Sequence, residues 1–263
     1  MVTNFANLPV IWGRTQPQPV ARESNYSSKN QGSLNAILND FGPFPPYSLV
    51  VGQCMDGLPF MLSLDNPRSG AILIVGENET QKKQILSTLS SSACRINHPT
   101  DVSWSLISST PHQHAELVNS PHCRTITSPY GRAAGELIVD LASKVEQRRF
   151  GRERGGTHVV MIDDFGSFSP LLADYHVYLN FKSLITKGPA CGIWPLVSSK
   201  PDEAYTEQGK ILRSFGTYIF EKVGSEQGVN SFPRGEFHQP QIVQPNFNAI
   251  VGGRLIPISS VYV

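Results

Sequence analysis

Charge is scarce in this sequence. Only 16% of residues are Asp, Glu, Lys or Arg, against about 25% in an average soluble domain. The 22 Lys+Arg nearly cancel the 21 Asp+Glu, leaving a formal charge of +1. Such a balance excludes a basic nucleic-acid coat and an acidic solubility tail, so any polyanion contact has to come from a local patch. Long apolar runs are missing as well. Nothing approaches the ~18–20 consecutive apolar residues of a membrane span, and the first residues, Met1 to Arg14, lack the basic segment and apolar run of a secretory leader. The four cysteines, Cys54, Cys94, Cys123 and Cys191, contain no Cys-x-x-Cys pair and read as scattered free thiols of a cytoplasmic protein. No serine sits in Gly-x-Ser-x-Gly, so a hydrolase nucleophile elbow is unsupported. There is no internal repeat.

What is present is a chain of 263 residues, long enough for one large domain or two small ones. That length buries about 70–75% of the unfolded surface without a staple. Residues 13–46 are rich in Pro, Gln, Asn and Ser, so 1–47 is expected to be an arm or linker, with a short helix at Leu34–Leu38. Leu8-Pro-Val-Ile-Trp12 is apolar enough to dock, in cis or on a neighbouring subunit. The second region, 48–263, opens with two apolar runs, Ser48–Gln53 and Pro59–Leu64, around the turn signal Asp56-Gly57, which predicts a hairpin. Continuous apolar runs at Ala71–Val75 and Thr157–Ile162 predict strands buried on both faces. Further strands are expected at Val102–Ser108, His122–Thr127, Gly192–Ser198, Tyr218–Val223 and within Arg254–Val263. Helices are expected at about Thr80–Cys94, at Ala133–Phe150, where Leu137, Leu141 and Val145 recur at a spacing of four, and at Tyr175–Thr186. This alternation predicts an α/β fold with a mostly parallel central sheet covered by helices.

Ligands of open α/β sheets bind beyond the carboxyl ends of the strands, and two such ends stand out. After Val75 comes Gly76-Glu-Asn-Glu-Thr-Gln-Lys-Lys83. Set on the phosphate-loop pattern G-x-x-x-x-G-K-[ST], Gly76 is the first glycine and Lys82 the lysine. Gln81 then replaces the second glycine, and Lys83 replaces the hydroxyl that would bind Mg²⁺. Glu77 and Glu79 add negative charge where phosphates would arrive, and Glu79, Thr80, Gln81, Lys82 and Lys83 complete the nucleotide-binding candidates. A strand–loop–helix unit without a ligand accounts for the bare motif equally well. The second end, Val159-Val-Met-Ile-Asp-Asp164, has the form of a Walker-B segment, with Asp163 holding Mg²⁺ and Asp164 orienting the attacking water. Strand-end Asp residues acting as helix caps are the simpler alternative.

The order of these pieces resembles the FtsK/SpoIIIE/HerA branch of P-loop ATPases. Val51-Gly-Gln-Cys-Met-Asp-Gly-Leu-Pro59 is similar to the hairpin that precedes the phosphate loop there. Thr125-Ile-Thr-Ser-Pro-Tyr-Gly-Arg-Ala-Ala134 and the helix to Arg149 resemble the segment leading to the Walker-B strand. Leu184 to Pro201 is similar to the family's sensor strand, with Ser198 and Ser199 at the γ-phosphate-sensing pair and Lys200 at its basic residue. The resemblance implies a RecA-like P-loop NTPase fold over 48–263, ATP and Mg²⁺ as ligands, a homo- or hetero-oligomeric ring, and DNA or protein as cargo. The departures at Gln81, Lys83, Asp164 and Ser199 imply a degenerate, catalytically impaired ATPase subunit with a structural or regulatory role. An active translocase and a non-nucleotide interaction module are the alternatives.

Two other constellations read as structural. Lys144–Arg154 carries five basic residues against two acidic ones and could touch nucleic-acid phosphates or a neighbouring subunit's nucleotide, but a solvated helix end complementing the helix dipole is the simpler account. His112, His114, His122 and Cys123 match no zinc spacing and read as loop residues of a Pro-rich surface segment.

Overall fold

The computed structural model describes residues 32–221 and 247–263, except the side chain of Glu116. The Leu8–Trp12 segment and the end of the strand expected at Tyr218–Val223 lie outside the described residues. In chain order the first elements are α1 (Leu34–Phe41), β1 (Ser48–Cys54), β2 (Pro59–Ser63), β3 (Ile72–Val75), α2 (Glu79–Ile96), β4 (Val102–Ile107), α3 (Ala115–Val118), β5 (Cys123–Thr127) and α4 (Arg132–Arg149). Then come β6 (Thr157–Ile162), α5 (Phe165–Phe168), α6 (Tyr175–Lys187), β7 (Ile193–Ser199), β8 (Thr217–Glu221), β9 (Phe247–Val251) and β10 (Arg254–Ser259). All ten strands form one sheet in the order β2-β1-β10-β9-β8-β3-β7-β6-β4-β5. From β8 to β5 the pairings are parallel; from β8 through β9, β10 and β1 to β2 they are antiparallel. This is the mostly parallel α/β sheet that the alternation of elements predicts.

Strand β3 shows why. Ile72, Leu73, Ile74 and Val75 are all 0–1% exposed, and in a strand alternate residues face opposite sides. Ile72 and Ile74 pack in the core that holds Ile85, Leu86 and Leu89 of α2, whereas Leu73 and Val75 join Ile138 and Leu141 of α4 and Phe181 and Leu184 of α6. Strand β6, two places along the sheet, divides in the same way, Val159 and Met161 towards the α2 side, Val160 and Ile162 towards the α4–α6 side. Helices therefore cover both faces, and the apolar runs carry little polar alternation because neither face meets water.

The hairpin β1–β2 forms as expected, with Gly57 at φ 84° in its turn; a left-handed backbone there favours glycine. The short helix expected at Leu34–Leu38 runs to Phe41. Its Leu34 and Ile37 are buried with Val50 and Val261. Residues 32–47 are thus part of the folded body rather than of the arm in which their Pro/Ser-rich composition places them. Leu34, Ile37 and Leu38, at helical spacing, hold the helix there.

Leu73 is fully buried between the sheet's neighbours and the α4–α6 layer. Leu73→Ala is expected to lower unfolding stability by about 2–5 kcal/mol, the range for deleting a buried Leu side chain where the site cannot collapse. The midpoint shift in a urea titration at unchanged slope checks it.

Candidate functional site

Sheet register builds the site. Val75 of β3 lies beside Ser199 of β7 on one flank and Phe220 of β8 on the other. The next residue, Gly76, donates its N–H to the Ser199 carbonyl at 3.1 Å. On its other side stands Glu221, and a Cβ on Gly76 would fall 2.5 Å from Glu221 Oε2 and 2.9 Å from its Cβ. The glycine is required by that close approach.

Helix α2 begins at Glu79, so only Gly76, Glu77 and Asn78 separate it from β3. A phosphate loop works because the backbone N–H groups of its turn and of the following helix start are free to cradle phosphate oxygens. Here three of those donors, the N–H groups of Asn78, Thr80 and Gln81, have side-chain partners inside the chain. The Asn78 N–H donates to Glu221 Oε2 at 2.8 Å. Asn78 Oδ1, as N-cap, accepts from the N–H groups of Thr80 at 3.0 Å and Gln81 at 3.3 Å. Lys82 is 1% exposed, and its Nζ donates to Glu79 Oε1 at 3.0 Å. Lys200 Nζ lies 3.8 Å from the same oxygen, so one carboxylate bridges the two ammonium groups. Lys83 turns away to donate to Gln113 Oε1. Gln81 Oε1 is buried and lacks a hydrogen-bond partner among the described residues; an orphaned acceptor has the wrong polarity for a phosphate.

Along the same edge Ser108, Asp163 and Ser198 follow the residue row Ile107–Ile162–Val197 across β4, β6 and β7. Asp163 is 5% exposed. Its Oδ2 accepts from the Ser108 hydroxyl and pairs with His114 Nε2 at 2.9 Å, while Ser198 Oγ donates to its backbone carbonyl. Asp164 caps α5, accepting from the N–H groups of Gly166 at 3.1 Å and Ser167 at 3.2 Å. Ser199 Oγ donates to Glu203 Oε2 at 2.9 Å, and the Lys200 N–H donates to the same oxygen at 3.0 Å. Burial raises the Glu203 carboxyl above its ordinary pKa; the Lys200 and Ser199 hydrogen bonds oppose that shift and the nearby Asp164 charge adds to it.

The structure therefore brings Gly76, Glu79, Thr80, Gln81, Lys82, Asp163, Asp164, Ser198 and Ser199 to one edge, with Lys83 pointing off it. Sequence reasoning missed His114, Glu203 and Glu221. His114 is 8% exposed and paired with Asp163, which corrects its reading as a surface-loop residue. His122 is likewise buried, stacked on Trp104 with ring centroids 5.2 Å apart. Its Nδ1 lies 2.8 Å from the Val102 carbonyl. No sequence spacing announces these pairings, because they join segments far apart in the chain. In this arrangement the Asn78, Thr80 and Gln81 N–H groups and the Lys82 ammonium are bonded within the chain, and Asp163 Oδ2 holds two protein partners.

Three solved structures share the fold. EssC (ATPases 2 and 3) from Geobacillus thermodenitrificans superposes with a TM-score of 0.67 at 14% identity, over 88% of this chain and 44% of that one. Thermomonospora curvata EccC (ATPases 2 and 3), solved with a signal sequence peptide, gives 0.64 at 13% identity over 83% and 41%. The pCW3 conjugation coupling protein TcpA, solved as a monomer with ATPγS, gives 0.61 at 15% identity over 85% and 68%. This chain thus spans less than half the length of the EssC and EccC structures. At such identities the likeness establishes the ATPase-domain fold. No protein-family model and no curated protein matches the sequence.

Glu203→Gln tests the electrostatics of this edge. A carboxyl whose folded pKa lies above its unfolded value binds extra protons when folded, so its contribution to stability falls as pH rises from about the ordinary 4.5 through the folded pKa. The variant lacks that titration. The stability of Glu203→Gln relative to wild type is expected to increase with pH from about 4 to 7, read by denaturant unfolding at several pH values.

Proposed function

We propose that the chain is an FtsK/HerA-like ATPase-fold subunit, catalytically impaired, with a structural or regulatory role in a ring or larger motor. One observation carries this reading: carboxylates of the protein take both phosphate-binding roles of the loop. Glu221 accepts from the loop N–H and Glu79 holds the lysine. A nucleotide would have to displace both, together with the Asn78 cap on Thr80 and Gln81. Hydrogen bonds involving a charged group contribute about 1.5–3 kcal/mol each, and a ligand that must first open its site loses affinity in proportion to the closed fraction. Metal chemistry meets the same obstacle, since Asp163 pairs with His114 and the position of the Mg²⁺-binding hydroxyl carries Lys83. Partners in this reading are ring neighbours, copies of this chain or related subunits, with DNA or protein as cargo of the assembly. Among the described residues no helix is long and apolar enough to cross a membrane.

The alternative, an active ATP-dependent translocase, draws on one observation. Lys82, Asp163, Asp164 and Ser198 stand on one edge of the sheet, and the groups bonded to Lys82 and Asp163 are side chains that can rotate away. In that state Lys82 would contact phosphate, Asp163 would hold Mg²⁺ and Asp164 would orient the water.

Calorimetric titration with ATP and a non-hydrolysable analogue, with and without Mg²⁺, separates the two. The variants are Lys82→Met, which keeps the buried volume, and Glu221→Ala, which frees the Asn78 N–H. Wild type is expected to show no Mg²⁺-dependent binding and no phosphate release, and Glu221→Ala to bind more tightly than wild type by about tenfold. Micromolar Mg²⁺-dependent binding by wild type, lost in Lys82→Met with its circular dichroism unchanged, would establish a live site and overturn the impaired reading.

A further inference from the structure

The opposite end of the sheet carries a second polar site. Towards the amino ends of β4, β5 and β6, on the α4 side, lies a cavity of about 440 Å³, within the usual size range of small-molecule sites. Farther along the strands this sheet face is apolar and buried, with Val160 and Ile162 against α4 and α6. Around the cavity it changes to Ser103, Ser105 and His158. Core packing alone does not call for three polar side chains there.

His158 is held at both ring nitrogens, with Nδ1 3.0 Å from Ser103 Oγ and Nε2 3.0 Å from Ser105 Oγ. Burial, followed by the charges of Lys144, Arg148 and Arg124, presses its pKa down to about 4. At neutral pH the ring is therefore uncharged, donating at one nitrogen and accepting at the other. The serine that accepts from it keeps its own hydroxyl proton for another acceptor.

Three cations thus converge on one cavity. Arg124 Nη2 donates to the Pro99 carbonyl at 2.9 Å, and Arg148 Nη1 donates to the Gly156 and Cys191 carbonyls at 3.0 and 3.1 Å. These bonds fix both guanidinium groups and bring no counter-charge themselves; Arg148 is also ion-paired with Glu153 at 3.5 Å. Arg148 Nε is buried without a hydrogen-bond partner among the described residues, although Glu153 Oε1 approaches to 3.5 Å. The other nearby carboxylate, Asp101, accepts from Thr100 Oγ1 at 3.2 Å. Neither Arg124 nor Lys144 forms an ion pair with a described residue. The basic run Lys144–Arg154 is accordingly split: Lys144 and Arg148 line the cavity, whereas Arg149 and Arg152 lie over the exposed Phe150 ring, 5.8 and 5.7 Å from its centroid.

Cations in a concave, partly desolvated site create a field that favours an anion. Several separate cationic donors and a spare hydroxyl suit a group with three acceptor oxygens and about two charges better than a carboxylate. The remaining wall, Leu137, Leu141 and Ile193, is apolar. We propose that this cavity binds a small organic phosphate, its phosphate held by Arg124, Lys144 and Arg148 and its body lying on Leu137, Leu141 and Ile193. The site is separate from the β3–α2 loop and does not depend on how that loop is read.

The His158 ring is the reporter. The full chain, isotope-labelled at histidine, is titrated by NMR with inorganic phosphate, a hexose phosphate and a short single-stranded DNA. Both small phosphates are expected to move the His158 ring signals saturably, and the hexose phosphate to bind more tightly because it also covers the apolar wall. Arg124→Gln and Lys144→Gln, both at exposed positions, are expected to weaken binding by about tenfold each with unchanged circular dichroism. Arg148 is left intact because it ties two backbone carbonyls. No saturable shift, or a shift unaltered in both variants, would overturn the proposal. So would a response to DNA alone, or equal affinity for inorganic and hexose phosphate.

Discussion

The burial of β3 on both faces is the constraint from which the site's geometry follows. A strand with no exposed face must satisfy its backbone polar groups within the sheet. β7 and β8 do so in parallel, placing Ser199 and Phe220 beside Val75. That register fixes what surrounds the next residue: the Ser199 carbonyl and the Glu221 side chain close on Gly76, and the chain turns at once into α2. The same register carried across β7, β6 and β4 lines up Ser198, Asp163 and Ser108 as one polar row. The chemistry of the edge is a consequence of strand alignment, with no loop of its own to shape it.

The start of α2 poses a second requirement, because the first N–H groups of a helix have no intrahelical partner and carry the positive end of its dipole. In a nucleotide-binding loop phosphate oxygens meet that need. Here Asn78 Oδ1 and the Glu221 carboxylate meet it, and Glu79 adds negative charge in the first turn. The buried Lys82 poses a similar demand, since an ammonium out of water needs a counter-charge, and Glu79 provides it while also reaching Lys200. Each local electrostatic need is met from within the chain. Gln81 and Lys83 stand where the phosphate-loop pattern has glycine and a hydroxyl, and Asn78, Glu79 and Glu221 bond the Asn78, Thr80 and Gln81 N–H groups and the Lys82 ammonium.

Continuous apolar runs made the central strands legible, because burial on two faces leaves a signature that no exposed segment shares. Val159–Ile162 and Ala71–Val75 are of this kind, and Asp56-Gly57 announced its hairpin through turn chemistry. The long helices are readable to within a few residues, although in α4 Ile138, not Leu137, is fully buried along with Val145. Strand order was not readable: that β7 inserts between β3 and β6, or that β10 brings β1 and β2 onto the sheet, depends on long-range pairing. Helix α1 is expected within an arm because it sits in a segment, 13–46, rich in Pro, Gln, Asn and Ser. Of the candidate site, the strand ends were visible and their partners were not. His114 reaches Asp163, and Glu221 reaches Asn78, across 49 and 143 residues, separations over which a lone sequence carries no pairing signal.

The charge distribution of the sheet runs opposite to what a nucleotide at its carboxyl end would favour. That end carries Glu79, Asp163, Asp164, Glu203 and Glu221, with Lys82 and Lys200 already drawn onto Glu79 and Asp163 paired with His114. Burial raises the Glu203 carboxyl, so taking up its negative charge costs folding free energy, and the Asp164 charge adds to that cost. At the other end Arg124, Lys144 and Arg148 surround a neutral histidine, and their charges help keep it neutral. A polyanion entering the carboxyl end adds negative charge to an edge already rich in carboxylates, whereas at the amino end it meets three cations, of which Arg124 and Lys144 have no ion-pair partner among the described residues and Arg148 has Glu153. On Coulombic grounds alone the second location is the more receptive. For the carboxyl end to compete, the Glu79 and Glu221 side chains must leave the loop, which makes those two carboxylates, more than Gln81 or Lys83, the groups on which any nucleotide chemistry of this fold would turn.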